Sequence, residues 1–320
     1  MASRSTQCFL TVSRKYSTGV DKSVGFLGLG NMGGFMAANL VKKGFTVRGY
    51  DPSSDAVKAA AKEGVKEAKS VADAVDGVDV VVSILPSNKI VLDAYLGKDG
   101  VIERSRKGAL LIDSSTVDPN VPKQIHPVAV KNGKSFTDSP VSGGVMGAQN
   151  ATLAFMVGGS KEDFERGLPL YKAMGAKQYH CGKTGCGQIA KLTNNMILGI
   201  VGVGTSECMN MGIKAGLDPK VLLDVLNNST GRSWTTEVCC PVPGLIPTAP
   251  SSRDYENGFK IELITKDLEL GCGLALGVRS PIPLGALTTQ IYRIAQSRGY
   301  GQKDFTYIYE LLKEDTEKKQ

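Results

Sequence analysis

The chain has 320 residues, 42% of them hydrophobic, and a formal net charge of +7, three units of which sit in residues 1–20 as Arg4, Arg14 and Lys15. That length allows two domains with sizeable cores, and the small, scattered remaining charge excludes a nucleic-acid surface. The 38 glycines follow no repeat, which excludes a collagen-like chain, and no run of about 20 consecutive apolar residues predicts a membrane span.

Residues 1–18 are rich in serine, threonine and basic side chains, and no acid precedes Asp21. This composition predicts a mitochondrial transit peptide over residues 1–20 and a location in the matrix; a disordered or tag-like terminus would have the same composition. From residue 22 to 184, short apolar runs alternate with helical patterns. Strands are expected at 24–29, 45–50, 79–85, 109–112, 135–138, 153–157 and 177–181. Helices are expected at 32–43, 54–62, 71–76, 89–96, 119–132 and 161–174. This is the rhythm of a doubly wound α/β sheet with helices on both faces. From 185 to 315 the pattern becomes all-helical, with helices at 188–214, 221–227, 262–276, 284–296 and 305–313. The stretch 240–252, rich in proline, glycine and serine, is expected to be a loop outside the core. The helix at 188–214 is apolar nearly all round, which predicts the spine of a second domain and a subunit contact.

Gly28-Leu29-Gly30-Asn31-Met32-Gly33 matches G-x-G-x-x-G, a weak pattern alone, but an apolar strand precedes it and a helix follows. Gly28 permits the tight turn, Gly30 lets backbone approach a pyrophosphate, and Gly33 lets helix and strand pack closely. The free N–H groups at the helix start complete an anion site. Asp51 closes the second strand about 20 residues on, where an acid accepts from ribose hydroxyls and repels a 2′-phosphate. NAD is therefore expected rather than NADP. Leu85-Pro86 and Ser115-Thr116 close later strands at the same sheet edge.

Asp138-Ser139-Pro140-Val141-Ser142-Gly143-Gly144 also follows a strand. Consecutive N–H groups after Ser142 suit a carboxylate, although a plain loop reads the same way. In Gly187-Gln188-Ile189-Ala190-Lys191-Leu192-Thr193-Asn194-Asn195, the four-residue spacing puts Lys191 and Asn195 on one helix face, about 40° apart. Lys191 has no opposite charge three or four residues away. In a dry cleft its amine would lose affinity for the proton and serve as a general base, with Asn195 holding the substrate; the alternative is a lysine reaching out to solvent. Lys266-Asp267 reads as an ordinary charged helix start.

Seven cysteines (Cys8, Cys181, Cys186, Cys208, Cys239, Cys240 and Cys272), odd in number and without a CxxC pair, favour reduced thiols. His126 and His180 lack ligand spacing, and His180 with Cys181 and Cys186 reads as strand-end residues, so no metal is expected.

The glycine run, the Asp138-to-Gly144 segment, the Lys191 helix and Lys266-Asp267-Leu268 occur in an order that resembles the β-hydroxyacid dehydrogenases. The resemblance runs from about Ser23 to the last helix and includes Gly231-Arg232-Ser233-Trp234, Pro241-Val242-Pro243-Gly244 and Gly299-Tyr300 before Lys303-Asp304-Phe305. It implies a Rossmann-type N-terminal domain, an all-helical C-terminal domain, NAD, a small β-hydroxy acid substrate and a homodimer or homotetramer. It implies Lys191 as the catalytic residue and Ser142, Gly143, Gly144 and Asn195 as substrate contacts. Cofactor contacts would come from Leu85, Pro86, Thr116 and Lys266 beside the glycine loop and Asp51. Where relatives carry an asparagine near the cofactor, this chain has Ile90, with Asn88 close by. Reductases of glyoxylate, succinic semialdehyde or tartronate semialdehyde in the same family prefer NADPH and show basic residues after the second strand; here Asp51-Pro52-Ser53-Ser54 stands.

Overall fold

The computed structural model describes residues 22–317, so the expected transit peptide lies outside the described residues. The first unit runs β1 (Ser23–Leu27), α1 (Gly33–Lys42), β2 (Thr46–Tyr50), α2 (Ser54–Lys62), β3 (Lys66–Glu67), α3 (Val71–Val75), β4 (Val80–Ser83), α4 (Asn88–Leu96) and α5 (Val101–Arg104). It continues with β5 (Leu110–Asp113), α6 (Asn120–Lys131), β6 (Ser135–Asp138), β7 (Val141–Ser142), α7 (Gly144–Gln149), β8 (Leu153–Gly158), α8 (Lys161–Met174) and β9 (Gly175–Gly182). The second is helical: α9 (Cys186–Lys214), α10 (Pro219–Asn227), α11 (Trp234–Glu237), α12 (Ile261–Gly277), α13 (Pro283–Ala295) and α14 (Ile308–Glu317).

The nine strands form one sheet in the order β3-β2-β1-β4-β5-β6-β8-β7, with β9 beside β8. Strands β1 to β6 are parallel, so the loops after β1, β4, β5 and β6 emerge at one edge. Side chains alternate across the sheet: Val24, Phe26, Val80, Val82, Leu110 and Ile112 pack on one face, Leu27, Val81 and Leu111 on the other. Both faces are covered, which is why these strands read as continuous apolar runs. Each such fully buried side chain contributes about 1.5–3 kcal/mol.

α9 is the spine of the helical unit and packs against α10, α11, α12, α13 and α14. By length and composition it could cross a membrane, with mean hydropathy 1.3 over its most apolar window. The criterion of an unbroken apolar run missed this because Glu207 and Asn210 interrupt the apolar stretch that follows Asn195. Five helices of the same unit pack against it, with Gly199, Gly202, Val203 and Met209 buried. The stretch 240–252 corrects its expectation: Cys240 and Val242 belong to a second apolar cluster with Met209, Leu223 and Tyr309. Composition hid this because the burial comes from tertiary contacts with α9 and α14, not from local periodicity. The short β3, β7, α5, α7 and α11 were also missed, being too brief to show a period.

Asp113 and Asp138 end β5 and β6 side by side in register. Burial pushes each carboxyl up to about 6, against the hydrogen bonds that favour its ionised form. Asp113 accepts from Ser83 Oγ at 2.8 Å and Ser115 Oγ at 2.6 Å. Because the folded value lies above the ordinary 3.8, the stabilisation from the bound proton is full below about pH 4 and is lost as pH rises through about 6. Asp113→Asn removes that ionisation. Its thermal midpoint relative to the unsubstituted chain should be higher at about pH 8 than at about pH 5, by the equivalent of roughly 1–3 kcal/mol. Scanning calorimetry showing the same offset at both pH values would contradict this.

Candidate active site

The glycine loop follows β1 at the sheet edge. A Cβ at Gly28 would lie 2.2 Å from the Ile84 carbonyl, and one at Gly33 would lie 1.9 Å from the Gly28 carbonyl. Both positions are closed to any side chain. At Gly30 a Cβ would meet nothing within 4 Å, so the backbone there faces open space that a pyrophosphate could occupy. Asp51 is tied into the same loop: Leu29 N–H donates to its Oδ2 at 2.8 Å and Ser53 N–H to its Oδ1 at 2.8 Å. Each carboxylate oxygen keeps acceptor capacity for a ribose hydroxyl. The chain's own residues therefore fit a dinucleotide.

Beside this cradle, Leu85 N–H donates to Ser115 Oγ at 2.8 Å, joining the loop after β4 to the loop after β5. Asn88 Oδ1 accepts from Asp118 N–H at 3.0 Å, so it braces the second loop, while Ile90 faces solvent. Pro86 lies in the first loop, between Leu85 and the Ser87 cap of α4.

The first turn of α9 packs on the same edge. Gly185 caps it with φ 92°, and Asp138 accepts from Gly185 N–H at 2.7 Å and Gln188 N–H at 3.0 Å. A carboxylate at this end also complements the helix dipole. Lys191, one turn further, is 8% exposed, and burial lowers its amine from 10.5 to about 8. Desolvation is the largest cause; Asp267 opposes it and Lys266 adds to the lowering. The expectation of an isolated lysine is therefore corrected. No acid lies nearby on its own helix, but α12 brings Asp267 into its field.

Asn195 is 1% exposed and donates from Nδ2 to Asp267 Oδ2 at 2.6 Å, while its Oδ1 accepts from Asn194 Nδ2 at 3.0 Å. One N–H of its amide remains for another acceptor. Lys266 Nζ stands 3.1 Å from Asp267 Oδ1 and donates to the Thr116 carbonyl at 2.6 Å. A chain of short contacts thus runs from Asn195 through Asp267 and Lys266 to Thr116.

Ser142 pairs with Ala154 across the antiparallel β7–β8 ladder, and Gly143 and Gly144 follow with φ 130° and 62°. Both glycines are exposed and Ser142 is half-buried, so their polar groups are accessible. Trp234 is exposed. His180 Nε2 pairs with the Gly159 carbonyl at 2.9 Å and its ring stacks on Phe164. Cys181 and Cys186 are free thiols.

Asp267 and Gln188 were not selected from sequence. Asp267 is 3% exposed on the α12 stripe formed by Ile261, Ile264, Leu268, Gly271 and Ala275. A carboxylate at an apolar stripe position is the pointer that was available, since a buried charge persists only with partners.

A family model described as the NAD binding domain of 6-phosphogluconate dehydrogenase matches residues 23–182. One described as NAD-binding of NADP-dependent 3-hydroxyisobutyrate dehydrogenase matches residues 185–312. The probable mitochondrial 3-hydroxyisobutyrate dehydrogenase of Dictyostelium discoideum is 44% identical over 299 residues, covering 93% of this chain and 93% of its own. The NAD-dependent L-serine dehydrogenase of Pseudomonas aeruginosa is 41% identical over 291 residues, covering 91% of this chain and 98% of its own. The structure of Mycobacterium tuberculosis 3-hydroxyisobutyrate dehydrogenase with L-serine matches with a TM-score of 0.85 and 39% identity over 91% of this chain and 99% of that one. The chain belongs to the 3-hydroxyisobutyrate dehydrogenase family and is an NAD-dependent hydroxyacid dehydrogenase.

Proposed function

We propose that the chain oxidises 3-hydroxyisobutyrate to methylmalonate semialdehyde in the mitochondrial matrix, a step of valine degradation, with Lys191 as the general acid/base. Residues 1–20 would direct it there, residues 22–184 would hold NAD, and residues 185–315 would complete the substrate site. The observation that carries this reading is the buried Lys191 amine, lowered to about 8, on the same helix face as Asn195, which Asp267, Lys266 and Thr116 link to the cofactor edge.

NAD bound at Gly28–Gly33 and Asp51 supplies the hydride acceptor. The substrate carboxylate docks on Ser142 Oγ and the N–H groups of Gly143 and Gly144. Asn195 donates its remaining N–H to the C3 oxygen. Lys191 Nζ takes the hydroxyl proton as the C3–H bond breaks, leaving the aldehyde. The neighbouring Leu85, Pro86, Thr116 and Lys266 would contribute further contacts to the cofactor. L-Serine has the same three-carbon frame with an ammonium where 3-hydroxyisobutyrate has a methyl group; one relative is named for it and the structure of another holds it. In a panel of β-hydroxy acids with both cofactors, kcat/KM for 3-hydroxyisobutyrate with NAD should lead by about tenfold or more. A lead for L-serine would reassign the substrate.

Because the folded value of Lys191 is lowered to about 8, the neutral amine that oxidation needs accumulates as pH rises through that value. The oxidation rate should climb through about pH 8 and level off, while reduction, which needs the ammonium, should fall over the same interval. Lys191→Ala should cut kcat by roughly 10²–10⁴-fold and abolish this limb, with NAD affinity little changed. Equal losses in kcat and NAD affinity would mark a structural lysine.

Asp51→Ala should raise KM for NAD by about tenfold and narrow the preference over NADP, leaving kcat nearly unchanged. An unaltered NAD-to-NADP ratio would remove the ribose role of Asp51.

The assembly we propose is a homodimer or homotetramer formed through the helical unit. Ile197 and Met211 on α9 and Leu276, Leu284 and Leu287 on α12 and α13 are exposed, Leu276 at 82%. So large a display of aliphatic side chains on core helices favours burial against a second copy. Light scattering should give a mass at least about twice that of one chain, and a single-chain mass at micromolar concentration would sink the proposal.

A further inference from the structure

Gln188 lies at the join between the sheet edge and the helix that carries Lys191. It is 0% exposed. Its side chain makes two hydrogen bonds to one short segment: Oε1 accepts from Val117 N–H at 3.0 Å, and Nε2 donates to the Ser115 carbonyl at 2.8 Å. Those two backbone groups are the pair that a neighbouring strand would satisfy, but the β5 ladder has already ended at Asp113. The carboxamide takes the place of a strand peptide, and it alone among uncharged side chains of this reach offers a donor and an acceptor on one planar head. The Gln188 N–H meanwhile donates to Asp138 Oδ2 at 3.0 Å. The preceding residue leaves the helix no room to slide: a Cβ at Gly187 would come within 2.4 Å of the Met156 carbonyl and 2.6 Å of the Asp138 carbonyl. Thr116, between the two clamped groups, has its carbonyl held by Lys266.

We infer that Gln188 is a positioning residue for the reaction: its carboxamide fixes the register between segment 115–117 at the cofactor edge and the helix turn that carries Lys191. The inference rests on the reading of Lys191 as the acid/base. Gln188 touches no reacting atom. It acts through Lys191, three residues along the helix, and through Thr116. Loss of its two bonds frees the segment to move relative to the amine, and misplacement by about 1 Å at a reacting centre costs on the order of 10²-fold in rate.

The test compares Gln188→Leu, which keeps the size and removes both bonds, with Gln188→Asn, which keeps the amide and shortens its reach by one methylene. Folded fraction is measured by circular dichroism, NADH affinity by fluorescence titration, and kcat with whichever β-hydroxy acid the unsubstituted enzyme oxidises. The expected result, per folded molecule, is a kcat lowered by about 10–100-fold in both variants, NADH binding weakened by about fivefold, and a smaller change in substrate KM. A residue that served stability alone would lower the melting midpoint and leave kcat per folded molecule intact. That outcome, or kcat within about twofold of the unsubstituted enzyme, overturns the inference. If one variant fails to fold, the other decides. If the unsubstituted enzyme oxidises no β-hydroxy acid, the proposed substrate falls separately. The NADH titration still decides the clamp, because unchanged affinity in Gln188→Leu refutes it.

Discussion

The desolvation of one ammonium group is the constraint on which the proposed chemistry depends. Lys191 pays for its burial by losing proton affinity, and its amine settles at about 8 instead of 10.5. Asp267 opposes that loss through its charge without cancelling it. Asp267 is engaged by Asn195 at 2.6 Å and flanked by Lys266 at 3.1 Å. The carboxylate thus orients the amide while Lys266 offsets its charge, and burial wins. A lysine left near neutrality can both take and return a proton at physiological pH.

That balance depends on close contact between the helical unit and the sheet. The meeting surface is built from absent side chains and from hydrogen bonds. Glycines at 158 and 187 let α9 touch the strand backbones, where a Cβ on either would come within 2.8 Å of Asp138 carboxylate or backbone oxygens. Gln188, Lys266 and Asp138 then join α9 and α12 to the loops after β5 and β6. Each buried polar group left unpaired there would cost roughly 1–3 kcal/mol, so the contact is specified as well as tight.

Much of this was legible in the sequence because its causes are local. The parallel strands announced themselves as apolar runs, the glycine loop as spacing between a strand and a helix, and the Lys191–Asn195 face as a four-residue interval. What escaped was tertiary in origin. Asp267 looked like a charged helix start because the partner that buries it, Asn195, lies 72 residues away. Gln188 was not selected in a helix read as apolar nearly all round because its partners at 115 and 117 are 73 and 71 residues distant. Cys240 and Val242 sat in a stretch of prolines and glycines, and only contact with α9 and α14 makes them core.

The polar stripe of α9 shows how the proposed acid/base differs in its surroundings from the polar residues beside it. Gln188, Lys191 and Asn195 share one buried face at intervals of three and four residues, ahead of Gly199, Gly202 and Met209 on an otherwise apolar helix. Buried polar side chains in folded proteins are almost always satisfied. Gln188 has two side-chain partners and Asn195 has two. Among the described residues, Lys191 is the member of the stripe whose amine has no hydrogen-bond partner within the chain. Two amides bonded within the chain hold the scaffold, and the amine between them is the group to which the proposed mechanism gives the hydroxyl proton.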